Sequence, residues 1–480
     1  MKKAARFRRI LVIVVLSALG TAFLAADEAT DKVDKLFAAW DKTTSPGAAL
    51  AVIRDGRIIY ERGYGMAKLE DGIVMTPDKI FDIGSVSKQF TATCVVMLVR
   101  DGKISLDDNV RKYIPELPDY GTPITVRHLL HHTSGLRDYN ALLELAGFRG
   151  DSDCPTVEEA LDVICRQKKL NYPSGQEYSY TNTGYFLLGQ IVERVSGKSL
   201  NVFAQEHIFK PLGMEHTLYQ EDHTQVIRDR ATGYDPDGQG FKIDMSNWDE
   251  TGDGNVYTSV EDLYLWDQAF YNGKLGKDVM DMLHTKGTLN DGKPIDYAFG
   301  LVVTGYKGLK VIEHGGAWAG FRAAIVRFPD EKFSAICLAN LGTMDPSGLC
   351  FKVADIYLSD KLKEPPKPEG KKVEAVTVDK KDLAPLLPLT AVMLNEYAGT
   401  YISSELLDAR YQIKVDKDKL VLKMRTIPGA PMKALAPDKF IEPESGANIE
   451  FMRGKGGKVA GFKLAVGRAA GIVFQKAGKY

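Results

Sequence analysis

Cysteine is scarce in this chain, with five among 480 residues. Cys94, Cys154, Cys165, Cys337 and Cys350 are too few and too scattered for the disulfide framework that holds small secreted folds together. The odd total leaves at least one thiol unpaired. Cys154 and Cys165 are the pair nearest in sequence, and Cys94 falls in an apolar run that reads as buried. An excess of either charge is also missing: 62 Lys and Arg stand against 63 Asp and Glu. That balance leaves no broad basic excess, so a nucleic-acid partner is not expected. No repeat at a period of roughly 20–50 residues recurs, which excludes solenoids and propellers. No apolar run reaches the roughly 20 residues of a spanning helix.

What is present is the composition of a soluble globular protein, 44% apolar and 26% charged. The length suits two domains plus a processed end. Lys2, Lys3, Arg6, Arg8 and Arg9 precede an apolar run from Ile10 to Leu19 and small residues at Ala22, Ala25 and Ala26. This reads as a signal peptide over 1–26, predicting an exported protein, periplasmic or secreted, with no membrane span once it is cut. No cysteine follows the apolar run to take a lipid. A first domain is expected over 27–361 and a Pro/Lys-rich linker over 362–390, typified by Lys363-Glu-Pro-Pro-Lys-Pro-Glu-Gly-Lys-Lys372. A second domain, over 391–480, alternates with period two at Tyr411, Ile413 and Val415, at Leu420, Leu422 and Met424, and at Phe462, Leu464 and Val466. That pattern predicts an antiparallel barrel or sandwich.

In the first domain the periodicity predicts a helix over 31–40. A hairpin is expected from 48–53 and 58–64 around Asp55-Gly56, and a strand pair from 309–313 and 320–327. Ser85-x-x-Lys88 enters an apolar run, so both side chains share one face of a helical first turn. A buried neutral lysine there can take the serine proton, and unpaired helix-start N–H groups suit an oxyanion. By itself this motif reads more readily as a capped core helix with a snorkelling lysine. Tyr180-x-Asn182 reads locally as a turn with a packed ring. His314-Gly315-Gly316 beside a strand permits close approach of a backbone or substrate. His128 and His132 have i,i+4 spacing, but Leu129 stands where a zinc-protease helix carries glutamate. No ligand set completes around them, so neither metal nor cofactor is expected.

Taken in order, Ser85-x-x-Lys88, Tyr180-x-Asn182 and His314-Gly315-Gly316 resemble the penicillin-recognising serine hydrolases. The likeness is to the branch of class C β-lactamases, D-Ala-D-Ala carboxypeptidases, D-aminopeptidases and related esterases. Phe81-Asp-Ile-Gly84, Arg127-His-Leu-Leu-His-His-Thr-Ser-Gly-Leu136 and Gly252-Asp-Gly-Asn-Val256 are similar to that family too. The tail from Leu394, with Asn395-Glu-Tyr-Ala-Gly-Thr-Tyr401, resembles the lipocalin-like domains of some members. The resemblance implies an α+β fold, an antiparallel sheet flanked by helices, followed by an all-β lipocalin-like barrel.

It also implies an acyl-enzyme on Ser85, with Lys88 assisting deprotonation and Tyr180, perturbed by neighbouring cations, relaying protons. Asn182 would orient Lys88 and the substrate amide, and the N–H groups of Ser85 and Ala317 would form the oxyanion hole. His314, Gly315 and Gly316 would line the substrate. One departure matters: the β-lactamases and carboxypeptidases usually carry Lys-Thr-Gly where this chain has His314-Gly315-Gly316. A histidine is no permanent cation; the substitution resembles the D-aminopeptidases and esterases of the family, which implies peptide substrates, D-residues among them, or esters. The alternatives are a β-lactamase or D-Ala-D-Ala carboxypeptidase and, outside enzymes, a penicillin-recognising sensor without turnover. The barrel reads as an apolar-ligand carrier, a cover over the cleft, or a surface for self-association into a homo-oligomer.

Overall fold

The computed structural model describes residues 28–150, 152–363, 391–427 and 429–478. The expected leader and nearly all of the expected linker lie outside these residues. The central feature is a six-stranded antiparallel sheet. Its strands run in the order Val302–Tyr306, Leu309–Trp318, Phe321–Phe328, Phe333–Ala339, Ala48–Arg54 and Arg57–Tyr64. The first and last parts of the domain meet where Ala48–Arg54 pairs with Phe333–Ala339. Asp55 and Gly56 both have positive φ, 50° and 76°, as the tight hairpin turn between the last two strands demands.

Both faces of the sheet are covered. Ala48, Leu50 and Val52 pack with Val33 and Phe37 of a helix over 28–37 and with Leu349 and Val353 of the helix Pro346–Tyr357. Ala49, Ala51 and Ile53 face the larger core, with Val95 and Trp266. Burial on both sides explains why these strands read as continuous apolar runs. The helix Lys88–Arg100 is buried along almost its whole length, its Phe90 ring 4.6 Å from Trp266 and 5.3 Å from Phe209.

Three elements differ from expectation. The strand from Leu309 runs unbroken to Trp318, so His314-Gly315-Gly316 lies inside a strand. Its glycines fit there because a Cβ on Gly316 would stand 1.9 Å from the Ile83 carbonyl oxygen. The stretch after Asp138, for which the sequence pattern gives no element, is the helix Tyr139–Ala146, capped by the Asp138 carboxylate. Ser85 lies in a 3₁₀ turn, Gly84–Ser87, that feeds the α-helix beginning at Lys88.

The tail forms a closed eight-stranded barrel from Gly399–Ser403 to Ala469–Lys476, sealed by pairing of Tyr401 with Lys476 and Ile402 with Gln475. Rings of Tyr401, Phe440, Phe451, Phe462 and Phe474 are buried and mutually packed, with Phe462 and Phe474 stacked at 4.6 Å. The barrel docks on the first domain through a buried ion pair, Arg137 Nη1 to Glu405 Oε2 at 2.7 Å. Gln167 closes this contact by accepting from Arg137 and donating to the Glu405 carbonyl, both at 2.7 Å.

Candidate active site

The Lys88 side chain is fully buried. Its Nζ donates to Ser85 Oγ at 2.9 Å, to Asn182 Oδ1 at 2.9 Å and to the Asp253 carbonyl at 2.7 Å. Burial pulls this ammonium down to about 8; the Asp253 and Asp138 carboxylates oppose the shift, and Arg468 adds to it. A lysine that sheds its proton near neutrality can accept the serine proton. Asn182 opens the helix Asn182–Ser196, and its backbone N–H donates to Asp138 Oδ2 at 2.7 Å. The same Asp138 thus fixes two helix starts that face the serine.

Tyr180 stands over Lys88, whose Nζ lies 5.0 Å from the ring centre. Its hydroxyl has no hydrogen-bond partner among the described residues. Burial pushes it well above the usual phenol range, with Ser85 and Arg468 working the other way. The cation effect expected at this tyrosine is therefore outweighed by burial. His132 holds the segment: its Nδ1 accepts the Thr181 N–H at 3.2 Å and its ring packs 4.2 Å from Tyr180. His128 is used elsewhere, in a capping box with Thr125. The two histidines of that motif therefore serve separate structural roles.

The Ser85 and Ala317 backbones meet at one place. A Cβ on Gly84, which has φ 48°, would stand 2.8 Å from Ala317 N, and one on Gly316 would stand 3.2 Å from Ser85 N. His314 is buried, with Nε2 3.0 Å from the Tyr297 hydroxyl and Nδ1 2.6 Å from the Gly315 carbonyl. A carbonyl only accepts, so Nδ1 carries the hydrogen and Nε2 receives the tyrosine proton. Burial, assisted by Lys88, lowers this imidazole to about 4. Nitrogen NMR of His314 is expected to show one neutral, Nδ1-protonated ring from pH 9 down to about 5; a protonated ring at pH 7 would contradict this reading.

Ser85 separates two recesses. One is the smaller and is acidic, lined by Tyr139, Asn140, Trp248, Glu250, Asp253 and Trp318. There the Glu250 carboxylate oxygens and Asn140 Oδ1 are buried without a partner among the described residues. Burial raises Glu250 to about 8 and Asp253 to about 6. The other is an open cleft of ≈ 650 Å³ with Tyr180, His314 and Arg468 on its walls. Arg468 comes from the barrel, 3.3 Å from Asp138 Oδ2 and 5.9 Å from the centre of the Tyr180 ring. Beyond it the cleft adjoins a cavity of ≈ 540 Å³ at the barrel mouth, lined by Leu422, Met424 and Leu464.

All eight site residues named from sequence thus gather around one serine. Asp138, Glu250 and Arg468 were not legible, since each acts through distant chain. All five cysteines are free thiols, so Cys154 and Cys165 do not pair.

Architecture and site together define a beta-lactamase-type fold with a serine–lysine centre. The beta-lactamase family model matches residues 33–349. A D-aminopeptidase of Gluconobacter oxydans is 33% identical over 305 residues, covering 62% of this chain and 56% of that relative. The match thus spans little more than half of that enzyme. A penicillin-binding protein of Bacillus subtilis is 28% identical over 401 residues, covering 79% of this chain and 83% of its own. The octameric penicillin-binding protein homologue from Pyrococcus abyssi superposes with a TM-score of 0.60 at 25% identity, covering 95% of this chain and 100% of that one. The chain belongs to the beta-lactamase family.

Proposed function

We propose that the protein is an exported serine hydrolase that cleaves peptide or ester bonds through an acyl-enzyme on Ser85. The observation that carries the reading is the buried Lys88, hydrogen-bonded to Ser85 Oγ and lowered to about 8. Ser85 Oγ attacks the substrate carbonyl as its proton passes to Lys88 Nζ. The N–H groups of Ser85 and Ala317 take the negative charge on the carbonyl oxygen, a contribution of about 3 kcal/mol per donor. Tyr180 passes a proton to the leaving group as it takes the one held on Lys88, so both regain their starting states; water then attacks the ester on Ser85, its proton travels through the same pair to Ser85 Oγ, and the acid departs. Asn182 keeps the Lys88 amine aimed.

The substrate reading is a peptide or amide with a free amino group, in line with D-aminopeptidase relatives. Asn140 Oδ1 offers an acceptor to an ammonium beside Ser85, whose charge would draw the buried Glu250 back toward its carboxylate form, while neutral His314 supplies no fixed charge for a β-lactam carboxylate. β-Lactam turnover is accordingly expected to be weak. The basic, apolar leader supports export, and the octameric relative supports self-association. Steady-state assay of Ser85→Ala on a D-alanyl amide and a short aryl ester tests the reading: hydrolysis is expected to vanish with the fold intact by circular dichroism. Full turnover in that variant would exclude it.

A further inference from the structure

Away from the serine, three loops bring Cys154, His223 and Asp249 to one point. Cys154 Sγ lies 3.6 Å from His223 Nδ1 and 3.5 Å from Asp249 Oδ2, and His223 Nδ1 lies 2.9 Å from Asp249 Oδ2. A thiol, an imidazole and a carboxylate in contact suggest first a nucleophilic relay. In a relay, however, the nucleophile and the carboxylate occupy opposite ring nitrogens, so that one receives the proton while the other orients the ring. Here both face the same nitrogen. The arrangement is convergent rather than serial.

Convergence on one point is what a cation requires. Around tetrahedral zinc, with sulfur at about 2.3 Å and nitrogen or oxygen at about 2.0–2.1 Å, donor atoms stand roughly 3.3–3.6 Å apart. The two contacts of Cys154 already match, and the histidine–carboxylate contact needs to open by only a few tenths of an ångström. The carboxylate is held in place: Asp249 Oδ1 accepts the His223 backbone N–H at 2.6 Å and lies 3.1 Å from His223 Nδ1, while Oδ2 faces both the sulfur and the ring. Cys154 is exposed, while the side chains of His223 and Asp249 are 31% and 24% exposed, so an ion and a water can enter.

We propose that Cys154, His223 and Asp249 form a site for a zinc-class divalent cation, with thiolate, imidazole and carboxylate as three ligands and water as the fourth. Thiolate and imidazole together favour zinc, cobalt or nickel over magnesium or calcium. Asp249 directly precedes Glu250 and follows Trp248, both walls of the acidic recess. A bound ion would therefore tie that wall to the segment before the helix Val157–Cys165. The site stands apart from the serine chemistry and does not rest on it.

The test is titration of the reduced, metal-stripped full chain with Co²⁺, followed by absorption. One equivalent is expected to produce the near-ultraviolet thiolate-to-cobalt band and the intense visible bands of a four-coordinate ion, and Zn²⁺ to displace both. Cys154→Ser should remove the ultraviolet band, and Cys165→Ser should keep it. His223→Ala should keep a weakened band, with affinity lost by more than the roughly 10–100-fold that an outer partner commands. Absence of the ultraviolet band in the parent protein, its persistence in Cys154→Ser, or unchanged affinity in His223→Ala would each overturn the assignment.

Discussion

Replacing Lys88 with methionine is expected to lower kcat/KM by about 10³- to 10⁴-fold, the upper range for loss of a positioned base. Methionine fills the same buried volume, so the fold is expected to survive. The wild-type profile follows from the sign of the shift. The active form is the neutral amine, and burial brings its proton loss down to about 8. Acylation should therefore rise tenfold per pH unit below that value and level off above it. Lys88→Arg, a permanent cation, should be inactive at every pH even though its charge is retained. Measurement of kcat/KM from pH 5 to 10 on a D-alanyl amide checks both features. A Lys88→Met enzyme with its rise through pH 8 intact would assign the base elsewhere.

Glu405→Ala is expected to destabilise the chain by about 3–5 kcal/mol, because it strands a buried guanidinium. Glu405 Oε2 accepts from Arg137 Nη1 at 2.7 Å and from the Lys168 N–H at 3.1 Å, and Oε1 accepts the Val473 N–H at 3.3 Å. No water-exposed route compensates, since both charged side chains are almost wholly buried. Glu405 also holds Val473 of the strand Ala469–Lys476, which follows the turn that carries Arg468, so loss of docking should also raise KM through the open cleft. Urea unfolding and steady-state kinetics on one preparation read the two effects together. Equal stability of the variant and parent would mean that the barrel is held by other contacts.

The candidate cluster around Ser85 was legible because its members are spaced by local rules. Ser85 and Lys88 sit one turn apart, and Tyr180 and Asn182 flank a helix start. His314-Gly315-Gly316 had to be glycine-rich where a strand presses on the Ile83 carbonyl. The hairpin at Asp55-Gly56 was legible for the same reason, as two residues that tolerate positive φ between apolar runs. The rest depended on tertiary placement. Nothing near Arg468 in sequence says that a barrel loop reaches Tyr180, and Glu250 looks like any surface glutamate until Trp248 and Trp318 enclose it. Cys154, His223 and Asp249 come together only once loops far apart in the chain are folded. The extension of the strand to Trp318 was masked because glycine and alanine carry no alternation.

The neutral state of His314 also separates two outcomes that the motifs alone left open. A lysine in that place would hold a carboxylate at any ordinary pH, whereas an imidazole lowered to about 4 donates to Gly315 and accepts from Tyr297 instead. The fixed positive charge of the cleft then comes from Arg322 and from Arg468 of the barrel.

The most direct test of the account is intact-mass measurement after brief exposure to competing acyl donors. The mixture holds a D-alanyl amide, a short-chain aryl ester, a penicillin and a serine-reactive phosphonate, with Ser85→Ala beside it. A single adduct on Ser85 from the phosphonate and from the amide or ester, absent in Ser85→Ala, is the expected result. A long-lived penicillin adduct alone, or no adduct from any donor, would contradict it.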